Sequence, residues 1–393
     1  MMKPICFSIA LIFCCSSVYP LQTWLTGDAV DVTASTTQGT VLMGGSSDVG
    51  DAFEWMIERS GGGDFVVIRA SGSDGYNNWV YNSLGGVNSV ATILFESRSE
   101  SQNQDAVNTI RNAEALFIAG GSQSRYVDYW KDTPVEDAIN YLLTTKKVPV
   151  GGTSAGCAIL TNCYFGAMNG APSSSEALSN PRRSSVTGSV GINDFLDVPY
   201  LDSTISDQHY HQRNREGRHL AFMTHLIEEG FSNVKGIGVD ERTAVCVDEN
   251  GMATVFGSNS AHFIRQYCGE PETLAAGEPL TWRGGVTVYK VAGTPGGSSA
   301  FDVADWATGS GGNWEYWWVA AGQLHMADTP VDNCAATPSG RQPAVSGNSA
   351  PRTAQGVSGW FFDALGKKIG YSSAAMLLCK DGYHVIELNF ISK

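Results

Sequence analysis

The chain has 393 residues, of which 42% are apolar and only 16% are charged, and its formal net charge is −14 at pH 7. This composition excludes an intrinsically disordered protein, and the length suits one large domain with an extension or two domains. An acidic chain without a basic stripe argues against nucleic acid and anionic membranes as partners.

The N-terminus predicts a signal peptide over residues 1–20. Lys3 supplies the positive charge, and residues 5–18 form an apolar stretch that is too short to span a bilayer. We therefore expect a secreted, extracellular protein. No later stretch reaches about 18 apolar residues, so no membrane anchor is expected. Residues 21–38, rich in Thr, Ser and Asp, are expected to form a linker.

From residue 39, short apolar strands alternate with amphipathic helices. The pattern predicts strands over 39–43, 64–70, 89–95, 115–119 and 147–150, and helices over 49–59, 103–111 and 135–144. Such alternation favours an α/β fold with a doubly wound, mostly parallel sheet. Three Gly-Gly pairs follow predicted strands and indicate a shared rim at which a ligand binds. They are Gly44-Gly45, Gly120-Gly121 and Gly151-Gly152.

Ser154 is the candidate nucleophile. It lies at the centre of Gly-Thr-Ser-Ala-Gly (residues 152–156), between a predicted strand and a helix-like run over 155–165. This strand–turn–helix context is what a nucleophile elbow requires. The helix N-terminus beneath the serine stabilises developing negative charge.

His209 is the candidate base, because its segment crowds polar side chains at the end of an apolar run. A serine hydroxyl needs such a base within hydrogen-bond reach, and the base needs an orienting group. His211 lies two residues further on, so the pair also suits metal ligation, but no third ligand is apparent. We expect no metal and no cofactor.

Four motifs in this order resemble the cyanophycinase branch of the S51 serine peptidases. They are Phe-Ile-Ala-Gly-Gly-Ser-Gln (117–123), Gly-Thr-Ser-Ala-Gly (152–156), Asp-Gln-His-Tyr (207–210, followed by Arg213 and Arg218) and Ile-Gly-Val-Asp-Glu-Arg-Thr-Ala (237–244). The resemblance runs from about Val41 to Ile264. It implies a catalytic domain over residues 39–268 with a fold similar to class I glutamine amidotransferases and flavodoxin, and a homodimer.

The resemblance also implies the roles of the site residues. Ser154 and His209 match directly, and the acid of the triad follows a serine in the intervening loop, which selects Glu176, with Asp207 as the nearby rival. The oxyanion hole is expected from the backbone N–H groups of Ala155 and Gly121. The expected substrate-binding residues are Gln123, Asp207, Gln208 and Arg213.

Residues 269–393 differ from the preceding part of the chain in composition and are expected to form a β-rich or irregular C-terminal extension. Gly, Ser, Thr and Pro are dense there, and four aromatic residues cluster. A buried core or interface is the favoured interpretation of this cluster, with a sugar-binding platform as the alternative. The four residues are Trp314, Tyr316, Trp317 and Trp318.

Signal-peptide cleavage would leave six cysteines, an even number that suits up to three disulfides in an oxidising compartment. Buried free thiols are the alternative interpretation. No pair has Cys-x-x-Cys spacing, which argues against a zinc site. The six are Cys157, Cys163, Cys246, Cys268, Cys334 and Cys379.

The leading functional hypothesis is a secreted serine exopeptidase that hydrolyses β-aspartyl isopeptide linkages. It would release β-Asp-Arg dipeptides from a cyanophycin-like polymer through an acyl-enzyme on Ser154. An aspartyl or isoaspartyl dipeptidase of the same family is the second hypothesis. An inactive secreted binding or matrix protein that keeps the fold is the third. An α/β-hydrolase esterase ranks below these, because no His-Gly-Gly loop precedes the elbow.

Overall fold

The computed structural model describes residues 21–330 and two short strands near the C-terminus. The signal peptide predicted for residues 1–20 lies outside the described residues, and so do Cys334 and Cys379. No helix in the described part of the chain combines the length and the apolar character needed to cross a membrane.

Eighteen strands and nine α-helices lie in residues 21–330. The strands are β1 (Gln22–Gly27), β2 (Gly39–Met43), β3 (Asp64–Arg69), β4 (Ser89–Leu94), β5 (Ala115–Ile118), β6 (Pro149–Thr153), β7 (Cys163–Phe165), β8 (Val190–Ile192), β9 (Thr204–Gln208), β10 (Lys235–Val239), β11 (Thr243–Asp248), β12 (Met252–Gly257), β13 (Ser260–Gln266), β14 (Trp282–Ala292), β15 (Ser299–Asp302), β16 (Gly309–Ser310), β17 (Gly312–Ala320) and β18 (Gln323–Ala327). The helices are α1 (Gly50–Arg59), α2 (Gly75–Asn78), α3 (Gln104–Asn112), α4 (Gln123–Trp130), α5 (Pro134–Asn140), α6 (Ala155–Ile159), α7 (Ser174–Ser179), α8 (Ser184–Thr187) and α9 (Glu216–Glu228).

Five neighbouring parallel strands form the centre of the first sheet. The sheet has ten strands in the order β1-β4-β3-β5-β6-β2-β11-β12-β15-β16, and every pair from β4 to β2 is parallel. These strands are apolar because helices cover both faces. On β2, Val41 and Met43 belong to the core cluster that includes Phe53 of α1, whereas Leu42 belongs to the cluster on the opposite face, which includes Ile110 of α3. The predicted strands and the mixed α/β class are therefore confirmed.

The flavodoxin-like, mostly parallel arrangement of the whole sheet is not confirmed. Antiparallel strands extend both sides of the parallel centre, with β1 pairing to β4 and β11 pairing to β2. A second sheet of eight strands follows the order β18-β17-β14-β13-β10-β9-β7-β8. In it only β10–β9 and β9–β7 are parallel. Two large mixed sheets replace the single sheet that the sequence predicts.

The expected boundary at residue 268 does not separate two sheets. β14, which follows the boundary, pairs with β13 from Ser260↔Ala292 to Gln266↔Val286, and β17 pairs with β14 in turn. The residues from 269 to 327 are β-rich, as expected, but β14, β17 and β18 extend the second sheet and β15 and β16 extend the first. At the other end, residues 22–27 of the predicted linker form β1 and pair with β4 along their whole length.

Helix ends follow local capping chemistry. Asn103 caps α3 by accepting a hydrogen bond from the N–H of Ala106, and Thr133 caps α5 with Pro134 at its first position. The helix-like run after Ser154 ends early, at Ile159, because the chain enters β7 at Cys163.

Three cysteines are buried free thiols, namely Cys157, Cys163 and Cys246. These three therefore form no disulfide, and the prediction for Cys334 and Cys379 lies outside the described residues. The aromatic cluster on β17 divides between two environments. Trp317 lies in the core of the second sheet, whereas Trp314 is 37% exposed on the opposite face.

The chain divides after Pro338 into two compact units. In the second unit, β19 (Phe361–Phe362) pairs antiparallel with β20 (Lys368–Ile369).

Phe53 is the centre of the α1 face, and its removal should destabilise the fold. Its ring contacts the rings of Phe65, Tyr76 and Phe117 at centroid distances of 4.4–6.0 Å, and it is fully buried. Phe53→Ala is expected to lower the free energy of unfolding in urea by about 3–5 kcal/mol, since it leaves a cavity. Val30→Ala, at a residue that is 68% exposed, is the control and should change it by less than about 0.5 kcal/mol. Equal losses in the two variants would contradict this.

Candidate active site

Ser154 occupies a strained turn between β6 and α6. Its backbone has φ 52° and ψ −111°, outside the regions that residues with a side chain favour. The flanking glycines make the turn possible. A methyl group on Gly152 would lie 2.6 Å from the carbonyl carbon of Gly156, and one on Gly156 would collide with the carbonyl oxygen of Ile118. The structure thus has the nucleophile elbow that the sequence predicts.

The hydroxyl of Ser154 begins an unbroken line of hydrogen bonds. Its Oγ lies 2.9 Å from Nε2 of His209, and Nδ1 of His209 lies 2.7 Å from Oε1 of Glu241. The three residues follow β6, β9 and β10, so the two sheets contribute to one site. The backbone N–H of His209 donates to the carbonyl oxygen of Gly44, which fixes the ring beside the serine.

The surroundings of His209 and Glu241 set the charges of the pair. Burial lowers the pKa of His209 and outweighs the hydrogen bond to Glu241, which acts in the opposite direction. The same hydrogen bond lowers the pKa of Glu241. At neutral pH the pair is therefore a neutral imidazole and an ionised carboxylate. The carboxylate accepts a hydrogen bond from Nδ1–H, so the unprotonated Nε2 is left to accept the proton of Ser154.

Two of the three Gly-Gly pairs line the rim around Ser154. A methyl group on Gly45, where φ is +95°, would lie 2.7 Å from Nε2 of His209 and 3.0 Å from Cβ of Ser154. One on Gly120 would lie 3.6 Å from Cβ of Ser154. The third pair, Gly151-Gly152, lies within β6. The space over the nucleophile thus depends on backbone that carries no side chain.

The sequence model of peptidase family S51 matches residues 67–255. Curated cyanophycinases are similar to about half of the chain. The protein from Synechococcus elongatus is 28% identical over 213 residues, which are 53% of this chain and 61% of its own length. The one from Nostoc sp. is 27% identical over 201 residues, 50% of this chain and 61% of its own. Residues 67–255 are thus similar to peptidase family S51.

The match covers only part of each protein, since it spans about 61% of the length of these cyanophycinases. Among solved structures, a peptidase from an acI-B1 Actinobacterium superposes with a TM-score of 0.44 at 14% identity, over 68% of this chain and 98% of its own.

In the structure Glu176 is not the partner of His209, because Glu241 holds Nδ1 of the imidazole, and the sequence-based choice of the acid was wrong. Glu176 closes the capping box of α7, where its carboxylate accepts from the backbone N–H of Ser173, and it pairs with Arg183 at the surface. Glu241 takes the predicted position. Glu241 belongs to the Asp-Glu-Arg-Thr-Ala motif, but only the structure shows that β10 runs parallel to β9 and that Val239 is in register with Gln208. The residue two positions after Val239 therefore emerges beside His209.

Asp207 does not contact His209 as the acid of the trio, and its predicted contact with substrate stays a prediction. It is fully buried, and its carboxylate is held by Arg218 at 2.6 and 2.7 Å and by Arg215 at 3.3 Å. Burial alone would raise the pKa of Asp207, but the two guanidinium groups outweigh it and hold the pKa below its usual range. Arg215 also donates to the carbonyl oxygen of Gln208. This network fixes the backbone that leads into His209.

The remaining predicted contacts surround the trio. Arg213 is exposed, and its charge contributes to lowering the pKa of both His209 and Glu241. Gln208 is buried, and its Oε1 has no hydrogen-bond partner in the described part of the chain. Gln123 begins α4 and is half-buried. Their contacts with substrate stay predictions.

The two predicted oxyanion donors differ in their surroundings. Ala155 is the first residue of α6, so its N–H has no acceptor within the helix. Gly121 lies against Tyr126, whose hydroxyl would be 2.7 Å from a methyl group placed on it. Its neighbour Gly120 faces Ser154 more closely, and the second donor stays a prediction.

The metal interpretation of His211 gains no support from the geometry. Its Nδ1 lies 2.8 Å from Oε1 of Glu216. Residues 21–330 contain no group of three His, Cys, Asp or Glu side chains that could hold a metal ion.

Replacing each of the two candidate acids by glutamine, in separate variants, should show which of them supports catalysis. Glu241→Gln is expected to slow labelling of Ser154 by a fluorophosphonate by on the order of 10²-fold or more at pH 7, because the imidazole loses the carboxylate that orients it. Glu176→Gln should change the rate by less than about threefold. The measurement is the second-order labelling rate, with circular dichroism to confirm folding. The reverse ranking would restore Glu176 as the acid.

Proposed function

We propose that this chain is a serine peptidase that hydrolyses β-aspartyl isopeptide linkages and releases β-Asp-Arg dipeptides from a cyanophycin-like polymer. The observation that carries the proposal is the unbroken line from Ser154 through His209 to Glu241, at 2.9 and 2.7 Å. These distances lie within the reach that proton transfer requires. The same line argues against an inactive binding protein, which has no need of an aligned nucleophile and base.

The proposed reaction begins with attack of Ser154 Oγ on the scissile carbonyl carbon. As the C–O bond forms, Nε2 of His209 takes the hydroxyl proton, and Glu241 stabilises the imidazolium that results. The imidazolium then protonates the leaving amine as the C–N bond breaks, which leaves an acyl-enzyme on Ser154. A water molecule, deprotonated by the same Nε2, hydrolyses the ester and restores the serine.

Charge on the carbonyl oxygen needs donors fixed in place before the reaction. We assign this role to the N–H of Ala155 and to an N–H of the Gly120-Gly121 turn, which faces Ser154. Such donors typically contribute about 3 kcal/mol each. The strained turn at Ser154 holds the nucleophile beneath them.

Support for the substrate comes from the relatives and from charge. The curated relatives are named cyanophycinases. A β-linked aspartyl residue carries a free α-carboxylate, for which the exposed guanidinium of Arg213 is a suitable partner. The net charge of −14 favours the approach of an arginine-bearing polymer. Export from the cell is part of the proposal and rests on the sequence of residues 1–20 alone.

Ser154→Ala tests the chemistry and the substrate together. The wild-type protein should release β-Asp-Arg from insoluble cyanophycin and from a peptide that ends in β-Asp-Arg. The variant should be slower by on the order of 10³-fold or more, because the nucleophile is lost. Release is measured by mass spectrometry. Cleavage of an aspartyl dipeptide without cleavage of either β-linked substrate would favour the dipeptidase, and no cleavage with an unreactive Ser154 would favour the binding protein.

The pH profile of kcat/KM should report the lowered pKa of His209. The base acts only when neutral, so activity falls as the pH drops through the pKa of the free enzyme. Since burial lowers that pKa, half-maximal kcat/KM is expected below about pH 6.5, the ordinary value for histidine. Arg213→Gln should move the acid limb to higher pH, because it removes a cation that disfavours imidazolium. An acid limb above pH 7 in the wild type would contradict this assignment.

A further inference from the structure

A groove of about 600 Å³ lies beside β1, at the edge of the first sheet, and none of its lining residues belongs to the Ser154 site. Its floor is apolar. The β1–β4 register places Thr23 opposite Ile93 and Leu25 opposite Ala91, so these side chains share the face on which α3 packs. Helix α3 lines the other wall and does not cover β1, which leaves Leu25 51% exposed.

The rim of the groove is negatively charged. Asp28, Asp31 and Asp105 line it and are exposed, and Asp64 lies deeper, where it accepts hydrogen bonds from Asn88 and Ser89. No lysine or arginine occurs among the described residues that line it. Three exposed carboxylates around an apolar floor favour a ligand that brings both positive charge and apolar surface.

The backbone of β1 offers a further means of recognition. β1 is the outermost strand of its sheet and pairs on one side with β4, while no strand in the described part of the chain pairs with its other edge. An unpaired edge presents a row of N–H and C=O groups that an extended chain can match. The short range from Thr23 to Leu25 therefore combines free backbone groups, an apolar surface and nearby carboxylates.

We propose that this groove binds an extended peptide segment that carries arginine or lysine side chains. The segment adds to the free edge of β1 by main-chain hydrogen bonds, as in β-strand addition. Its cationic groups lie against Asp28, Asp31 and Asp105, and its apolar side chains cover Leu25. The site is separate from the Ser154 chemistry, and binding there does not depend on hydrolysis.

Fluorescence anisotropy with a defined peptide tests the proposal. The probe is a fluorescein-labelled peptide of alternating arginine and valine, blocked at both ends. The protein is the full chain with Ser154→Ala, so that no hydrolysis interferes. Asp28→Asn/Asp31→Asn/Asp105→Asn should weaken binding by at least about tenfold. The control Glu54→Gln/Glu58→Gln/Asp137→Asn removes the same charge from exposed positions outside the groove, and Asp137, like Asp105, lies in the first turn of a helix. It should change Kd by less than about twofold.

Two further measurements separate the sources of affinity. An analogue with citrulline in place of arginine keeps the shape and loses the charge, and it should bind at least about tenfold more weakly. Leu25→Lys should also weaken binding, because it places a cation on the floor of the groove. Equal loss in the control triple variant would show attraction by overall acidity only. That result, unchanged affinity for the citrulline peptide, or no binding by the parent protein, would overturn the proposal.

A photo-cross-linker identifies the occupant directly. Leu25→p-benzoylphenylalanine in the full chain is irradiated with and without the peptide, and the products are sequenced by mass spectrometry. Cross-links to the labelled peptide that disappear when unlabelled peptide is added in excess support the proposal. Cross-links that persist in excess peptide and lead to a second copy of the chain, or to residues 1–20 of the same chain, assign the groove to that occupant instead.

Discussion

The active site depends on the close approach of three backbone segments at Gly44-Gly45. The N–H of Gly44 donates to the carbonyl oxygen of Thr243, and its own carbonyl oxygen accepts from the N–H of His209. Any side chain on Gly44 would collide with the carbonyl oxygen of Asp240. The turn after β2 therefore joins the sheet that carries Ser154 to the sheet that carries His209 and Glu241. The geometry of the trio follows from this contact.

A buried cluster of charged side chains also fixes the backbone that leads into His209. Asp207 is enclosed with Arg218 and Arg215, and burying such charges is costly unless each is paired and hydrogen-bonded. Here the pairing also holds the peptide groups on either side of Gln208. His209 follows with φ 45°, a conformation that persists only when its surroundings fix it. The motif residues before and after the histidine thus serve mainly to hold its backbone.

The sequence was sufficient to predict those strands and site residues whose structure depends on neighbouring residues in the chain. Periodicity located the parallel strands between residues 39 and 153, and the glycine spacing around Ser154 located the turn, because both depend on neighbouring residues. His209 was found in the same way. Glu241 was missed as the acid because its place is set by the parallel register of β9 and β10, which no local pattern reveals. Glu176 follows a serine in a loop, but that local pattern marks a helix cap here.

The sheets were harder to predict than their strands for a similar reason. β1 has no alternation of apolar and polar residues, and its pairing with β4 joins segments more than sixty residues apart in the sequence. Beyond residue 269, β17 places aromatic residues on both faces, with Trp317 in the core and Trp314 on the outer side. Such a strand lacks the period of two that a half-buried strand shows. Its place in the second sheet depends on pairing with β14.

The continuity of the second sheet across residue 268 constrains the order in which the protein can form during synthesis. Ser154 and His209 leave the ribosome early, but Glu241 follows β10, whose neighbour β13 is in turn covered by β14 and β17. The apolar face of that sheet is closed only when residues up to about 320 are available. A ribosome-bound chain that ends near residue 270 contains the whole trio but lacks the strands that hold it. The strands β14 and β17, which cover this sheet, are therefore made only after all three residues of the trio.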